Sequence, residues 1–255
     1  MKKLTSLILL LIVLFAVNNS YAQPKFIIHV TGGYDLPMST FKGTFPDDFN
    51  ALKDPMPYFM KTGFHFGADG KYYIGKKANL GITLGLNYFL FNSGDLAYTA
   101  TVEGQTLNWT QKGTINFFQA ALGAEWGFLP KKKANPFIGV EFTGNFFSGK
   151  VTSTLAGATD QTLNSASRFG VKFGAGVDWH LSKNVGVVIG AKYDLTNLIG
   201  KDTTFSGAAA NTIYLDDKAY TDAAGTSHSA RNIGFLQMYA GVSFYLMQPK
   251  TMVKK

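Results

Sequence analysis

The sequence predicts an all-β protein, an eight-stranded antiparallel up-and-down transmembrane β-barrel. From residue 25 onward, apolar and polar residues alternate with period two in eight segments, which is typical of strands that have one apolar face. Each segment has about ten residues or more, the length that a tilted membrane strand needs. The connections between the segments are alternately long and short, as they are in antiparallel membrane barrels.

The two faces of the strands are clearest in residues 168–181. One parity there is entirely apolar, and the other carries glycine, charge and histidine. The remaining segments divide in the same way. The predicted strands are 25–34, 60–74, 80–91, 116–128, 137–147, 168–181, 185–195 and 233–246. Because eight is an even number, both termini of the chain lie on one side of the membrane.

The first 22 residues predict a signal peptide. Lys2 and Lys3 form a positive start, 4–17 is apolar, and Ser20-Tyr21-Ala22 offers the small residues that a signal peptidase reads. The apolar stretch is shorter than the ~20 residues of a spanning helix, so we expect cleavage rather than anchoring. The mature chain is then a barrel over 23–247, followed by a basic periplasmic tail over 248–255.

Glycine shares the polar face with the charges, and this decides which face points to lipid. A soluble barrel would turn the apolar face inward and leave its strand glycines exposed, where they weaken a strand. The interior of an eight-stranded barrel is only wide enough for side chains, and inward glycines make room for charged neighbours. We therefore expect an apolar exterior in lipid and a polar interior.

Seven charged residues of the inward parity fall on neighbouring strands. A buried charge needs a partner, so we predict a salt-bridged plug in the lumen rather than an ion-lined channel. The histidines of the same parity, His29, His65 and His180, are interpreted as interior or rim residues. The predicted lumen network consists of Glu125, Glu141, Arg168, Lys172, Asp178, Lys192 and Asp194.

The connections predict the orientation. Four long segments hold seven basic and eleven acidic residues, whereas the three short turns and the tail hold nine lysines and no acid. Membrane barrels of this kind have short periplasmic turns and long outer loops. Two of the eight net positive charges lie in the predicted signal peptide, and the remaining excess of positive charge belongs to the periplasmic rim. We therefore predict no nucleic-acid partner. The long segments are 35–59, 92–114, 149–166 and 196–232.

Two stretches inside the long segments also alternate. Residues 98–109, around Glu103-Gly104, and residues 213–221, around Asp216-Asp217, each predict a hairpin above the membrane. The acid pairs Asp47-Asp48 and Asp216-Asp217 lack the six or more ligands that calcium takes. With no cysteine in the chain, we predict no metal site and no cofactor.

The most specific motif is in the last strand. Its alternation of a polar residue, a glycine and two hydrophobic residues is similar to the insertion signal of outer-membrane barrels. Gly241, Phe244 and Leu246 fit this signal, and Tyr239 stands where a more polar residue is usual.

The chain resembles the small outer-membrane β-barrel domains of the OmpA/OmpX kind and their PorT-like relatives over 23–247. The resemblance implies a Gram-negative outer membrane, with lipids and lipopolysaccharide around a monomeric barrel. It also implies transient contact with the barrel assembly machinery.

The preferred function is a structural or surface-interaction barrel with a closed lumen, whose loops contact an unknown extracellular partner. The alternative is a porin-like conduit for small solutes or hydrophobic molecules. The third is a lipid A-modifying enzyme, since some barrels of this size use Ser and His near the outer rim. His228 is the candidate there, but no spacing identifies a nucleophile, a base and a group that orients it. We therefore predict no catalytic residue and no enzyme.

Overall fold

The computed structural model describes residues 24–43, 54–75, 78–102, 105–204 and 211–246. The predicted signal peptide, 1–22, and the predicted tail, 248–255, lie outside these residues. Nowhere in the described ranges is there a helix long and apolar enough to cross a membrane. The long strands are β1 (Phe26–Met38), β2 (Thr62–Ile74), β3 (Leu80–Val102), β4 (Gln105–Gly127), β5 (Ala134–Ser153), β6 (Gln161–His180), β7 (Val185–Ile199) and β8 (Gly234–Leu246).

The eight strands close into a ring. Each strand pairs antiparallel with the next one along the chain. The last strand returns to the first over thirteen residue pairs, from Phe26–Leu246 to Met38–Gly234. The predicted eight-stranded up-and-down barrel is therefore confirmed. Closure removes the open edges that a sheet would otherwise present.

The apolar face of each strand points outward, as predicted. In β6, Phe169 and Phe173 are 58% and 51% exposed, whereas Lys172 between them is 1% exposed. The same alternation runs through the other strands and covers the outside of the barrel with large apolar side chains. An apolar surface of this extent marks a membrane or protein contact.

Several strands are longer than the sequence predicted. The segments 92–114 and 149–166 are predicted as loops, but much of each is strand. These residues extend β3, β4, β5 and β6 beyond the ends of β2 and β7. The hairpin predicted over 98–109 is confirmed, and the rings of Tyr98 and Trp109 stack across it at 5.3 Å. The sequence pattern predicts strands that are too short because neither face of the extended part packs against lipid. The difference in polarity between the two faces is therefore small there.

The prediction of a hairpin around Asp216-Asp217 is wrong. Thr212–Ile213 pairs in parallel with the start of β6, and Tyr220–Thr221 pairs with Ser227–His228. The physical reason is that the Asp217 side chain is completely buried. A carboxylate drawn into the mouth of the barrel by a cation breaks the local alternation that a hairpin would need.

The seam between β1 and β8 predicts a test of closure. An added Cβ at Gly241 would collide with the carbonyl oxygen of Val30 on the other side of the seam, whereas at Gly144 it would lie 3.6 Å from the Phe169 ring, an ordinary contact. We expect Gly241→Ala to reduce the fraction of barrel whose gel migration changes on boiling. The matched variant Gly144→Ala should leave that fraction unchanged.

A second substitution distinguishes two explanations for such a loss: a steric clash in the seam, and impaired recognition of the last strand during assembly. A Cβ at Gly33 would collide with the carbonyl oxygen of Met238 in the same seam, but Gly33 lies outside the motif in β8. If backbone approach is the cause, Gly33→Ala should impair assembly as Gly241→Ala does. Normal assembly of Gly33→Ala would contradict the packing explanation.

Candidate functional site in the barrel lumen

The end of the lumen near the short turns contains a buried ionic cluster. The Lys71 ammonium lies 2.7 Å from Glu125 and 3.3 Å from Asp178. The two ring nitrogens of His29 lie 2.8 Å from Asp178 and 3.0 Å from Asp69. Lys71 thus joins Glu125 and Asp178, the two predicted residues in this region, although the sequence prediction left Lys71 out of the network.

The middle of the lumen holds a second group. Glu141 accepts from Lys172 at 3.0 Å and from Lys192 at 3.2 Å. The Gln119 amide connects this group to Asp194, because it accepts from Lys172 and donates to the Asp194 carboxylate, both at 2.8 Å. The structure therefore brings together four of the predicted residues: three by direct ion pairs, and Asp194 through one buried glutamine that the sequence prediction left out.

Arg168 does not join the other six predicted residues. Its guanidinium donates to both carboxylate oxygens of Asp217, with Nε at 3.0 Å and Nη2 at 2.9 Å. Asn197 and the main-chain N–H of Asp202 also donate to this carboxylate, at 2.8 and 3.0 Å. The partner of Arg168 therefore comes from the connection between β7 and β8, which this ion pair ties to the mouth of the barrel.

Towards the long connections, the lumen is filled by aromatic rings. The rings of Phe89 and Phe117 lie 4.7 Å apart, as do those of Phe41 and Phe91. The prediction of a polar interior is therefore wrong for this half of the barrel. The inward parity of the predicted strands does continue through Phe89, Phe91 and Phe117, so the signal was present for these three. The buried cluster contains Phe41, Met60, Phe89, Phe91, Ile115, Phe117, Phe147, Leu163, Leu215, Ile233 and Phe235.

A buried His–Asp pair lies beside this aromatic cluster. His65 Nδ1 is 2.9 and 3.0 Å from the two carboxylate oxygens of Asp35, and the His65 ring lies 5.4 Å from that of Phe89. The sequence placed Asp35 in a loop. It was missed because β1 extends further than its alternation indicates.

The motif of the last strand is divided between the two faces. Tyr239 is buried and points inward, where the Lys192 ammonium lies 5.4 Å from the centre of its ring. Phe244 and Leu246 point outward, with 40% and 43% of each side chain exposed. Tyr239 thus occupies an inward position beside a charge, which accounts for an amphipathic residue there.

His228, the enzymatic candidate, is held between two carboxylates. Its Nδ1 lies 3.5 Å from Asp54 and its Nε2 lies 3.3 Å from Asp222. The neighbouring Ser227 hydroxyl contacts Thr221 at 3.3 Å. A nucleophile–base pair requires a ring nitrogen that faces the hydroxyl, and this arrangement turns both nitrogens to acids. The described residues also contain no cluster of His, Asp or Glu suited to a metal ion.

The central ion pairs predict a large loss of stability in Lys172→Met. This change removes a buried cation from Glu141 and a donor from Gln119, and removal of one partner of a buried pair typically costs ~3–5 kcal/mol. We expect a fall of about 3 kcal/mol, since Lys192 still faces Glu141. Urea unfolding in lipid vesicles measures it. Exposed Lys150→Met is the control, and equal midpoints for both variants would contradict the prediction.

The tie at the mouth predicts a pH dependence. Burial raises the pKa of Asp217, but hydrogen bonds from Arg168, Asn197 and Asp202 outweigh it and hold the pKa below its usual value. A lowered folded-state pKa gives stability that is present above the unfolded pKa, ~4, and is lost as the pH falls through the folded value. The difference in urea midpoint between wild type and Asp217→Asn should therefore be constant from pH 7 to about 5 and shrink below about 4.

Exposed Asp95→Asn serves as the control in the same series. Its midpoint should follow that of the wild type at every pH. A midpoint difference for Asp217→Asn that persists unchanged to pH 3 would show that the carboxylate charge does not hold the loop.

Comparison with known proteins places the chain in a family. Residues 7–221 match the family described as outer membrane protein beta-barrel domain, and no curated protein matches. Similar solved structures are Neisserial surface protein A (12% identity, 87% of this chain and 97% of that chain, TM-score 0.47) and OprG from Pseudomonas aeruginosa (10%, 88% and 97%, 0.45). Ail of Yersinia pestis is also similar (13%, 86% and 99%, 0.42). The family match spans most of the chain and confirms the resemblance seen in the sequence: the chain belongs to the outer membrane protein beta-barrel domain family and is a protein of the outer membrane.

Proposed function

We propose that the protein is a closed outer-membrane barrel without enzymatic activity, with a structural or surface-interaction role carried by its outer loops. The observation that carries this proposal is the filling of the lumen. Ionic groups occupy its periplasmic and central parts, and aromatic rings occupy its outer part.

The ionic groups act as a plug because their charges satisfy one another. Lys172 is 1% exposed and Asp178 is fully buried, and each is within ion-pair distance of an opposite charge. An ion that entered would have to displace a partner from a buried pair, at a cost of several kcal/mol. An eight-stranded barrel has no further room beside these side chains.

The aromatic cluster is a second barrier of different chemistry. Phe89, Phe117 and Phe235 are completely buried, and the ring of Phe89 lies within 5.1 Å of each of the other two. An apolar constriction opposes hydrated ions because they would have to lose water without gaining a polar partner. A charged solute therefore meets two successive barriers.

The surface role is supported by the hairpin of β3 and β4. Pairing between β2 and β3 ends at Thr62–Asn92, whereas pairing between β3 and β4 continues to Val102–Gln105. Among the described residues, no strand pairs with β3 on its other side beyond Asn92. The main-chain groups of this edge can accept a strand from a partner.

The conduit and the enzyme are the competing functions. A conduit requires movement of both the ionic groups and the aromatic cluster. An enzyme requires a free nitrogen on His228, and the two carboxylates of Asp54 and Asp222 oppose this. Comparison of lipid A masses from cells with wild type and with His228→Ala addresses the enzyme: a mass shift that only the wild type produces would establish it.

Planar-bilayer recording tests the closed lumen. We expect no steady openings from wild-type barrel whose folding has been verified by its heat-dependent gel migration. Steady openings whose conductance changes in Glu125→Gln would refute the plug and establish the conduit, because Glu125 lies in the lumen 2.7 Å from Lys71. Lys150→Met, which is exposed outside the lumen, controls for changes caused by surface charge.

A further inference from the structure

A cavity of about 430 Å³ lies at the outer end of the barrel. Six parts of the chain surround it: the segment 56–60, the β3–β4 hairpin around Tyr98, the end of β5 at Val151, the start of β6 around Leu163, the segment 213–215, and Arg231. This volume is within the range of small-molecule sites, ~300–1,000 Å³. The cavity is separate from the ionic groups of the lumen.

The floor of the cavity is closed. Met60, Ile115, Leu163 and Leu215 line the cavity, and all four belong to the buried aromatic and aliphatic cluster that fills the outer half of the lumen, so this cluster forms the floor. A molecule that entered from the loops would therefore stop there. This arrangement is that of a binding site and not of the entrance to a channel.

The walls are mainly apolar. The lining includes Phe59, Leu96, Tyr98, Val151 and Ile213. Apolar surface gains ~25 cal/mol for each Å² that a ligand removes from water. The body of a suitable ligand is therefore an aliphatic chain or an aromatic ring.

Arg231 supplies the polar recognition. Of the described residues that line the cavity, it alone carries a formal charge. Its Nε donates to the carbonyl oxygen of Asp216 at 3.0 Å, its Nη2 donates to that of Leu215, and its guanidinium carbon lies 4.2 Å from the centre of the Tyr58 ring. No carboxylate among the described residues lies within 4.0 Å of it.

These contacts orient Arg231 without neutralising it. The carboxylate of Asp217 is taken by Arg168, and that of Asp216 accepts from the main-chain N–H of Thr204 at 2.9 Å. A half-buried guanidinium favours an anion, and a carboxylate matches its planar donors. The charge and the apolar walls together define one ligand chemistry.

We propose that this cavity binds a small amphipathic monocarboxylate, with its apolar body against the walls and its carboxylate on Arg231. The proposal deepens the surface-interaction role and rests on the outward orientation of the loops. Both an alkyl carboxylate and an aryl-alkyl carboxylate have this chemistry. Octanoate and 4-phenylbutyrate serve as the two probes, and neutral 1-octanol serves as the control ligand.

Calorimetric titration of the full barrel in lipid nanodiscs tests the proposal, with the signal of empty nanodiscs subtracted. We expect saturable binding of at least one carboxylate and ~tenfold weaker binding of 1-octanol. Arg231→Gln should weaken carboxylate binding by about tenfold and leave 1-octanol unaffected. The probe that binds more tightly identifies the body, alkyl or aryl, that the walls prefer.

A second pair of variants does not depend on Arg231, which also contacts the main chain. Val151→Trp should fill the cavity and abolish binding of all three probes. Leu107→Trp, on the same hairpin as Tyr98 but outside the cavity lining, should bind as wild type does. Heat-dependent gel migration verifies the folding of each variant.

Three results would overturn the proposal: absence of saturable binding, equal binding of octanoate and 1-octanol, or unchanged binding in Val151→Trp. These results are independent of the closed lumen. If the barrel shows no conductance in bilayers and binds neither carboxylate, the closed lumen is supported and the ligand site is refuted. If the barrel conducts and binds octanoate through Arg231, the ligand site is supported and the closed lumen is refuted.

Discussion

The constraint on which the structure depends is the closed ring of main-chain hydrogen bonds. In lipid, each strand N–H and C=O must find its partner within the protein, and the seam between β1 and β8 completes the ring. Closure at eight strands sets a narrow bore. From that point, every inward side chain has to pack against, hydrogen-bond to or form an ion pair with another group that fills the bore.

The lumen meets this requirement with two chemistries in series. Basic and acidic groups satisfy one another at the short-turn end and in the central part, and Gln119 extends the central group to Asp194. Aromatic rings fill the part near the long connections, where burial of apolar surface is sufficient and no counter-charge is needed. Both chemistries fill the same bore, but only the ionic one requires each residue to have a specified partner.

At the end of the long connections, the filling of the lumen and the loops share residues. The ion pair between Arg168 and Asp217 draws the last long connection over the aromatic cluster, and the same connection supplies Arg231 and the segment 213–215 to the cavity above. The position of this loop therefore depends on the side chains that fill the lumen. A substitution in the mouth of the barrel should alter the shape of the cavity, because one segment of chain contributes to both.

The sequence by itself determined the strand count, the two faces and the position of the short turns, because period-two alternation and connection length are local properties. Parity also placed the charges inside the barrel. Only the tertiary structure decided which inward residues meet: Lys71 and Asp178 are 107 residues apart, and Arg168 takes its partner from a loop. Parity specifies the face of a strand but neither the height in the barrel nor the neighbour across it. The aromatic half of the lumen and the cavity depend on those two coordinates, which closure and register set.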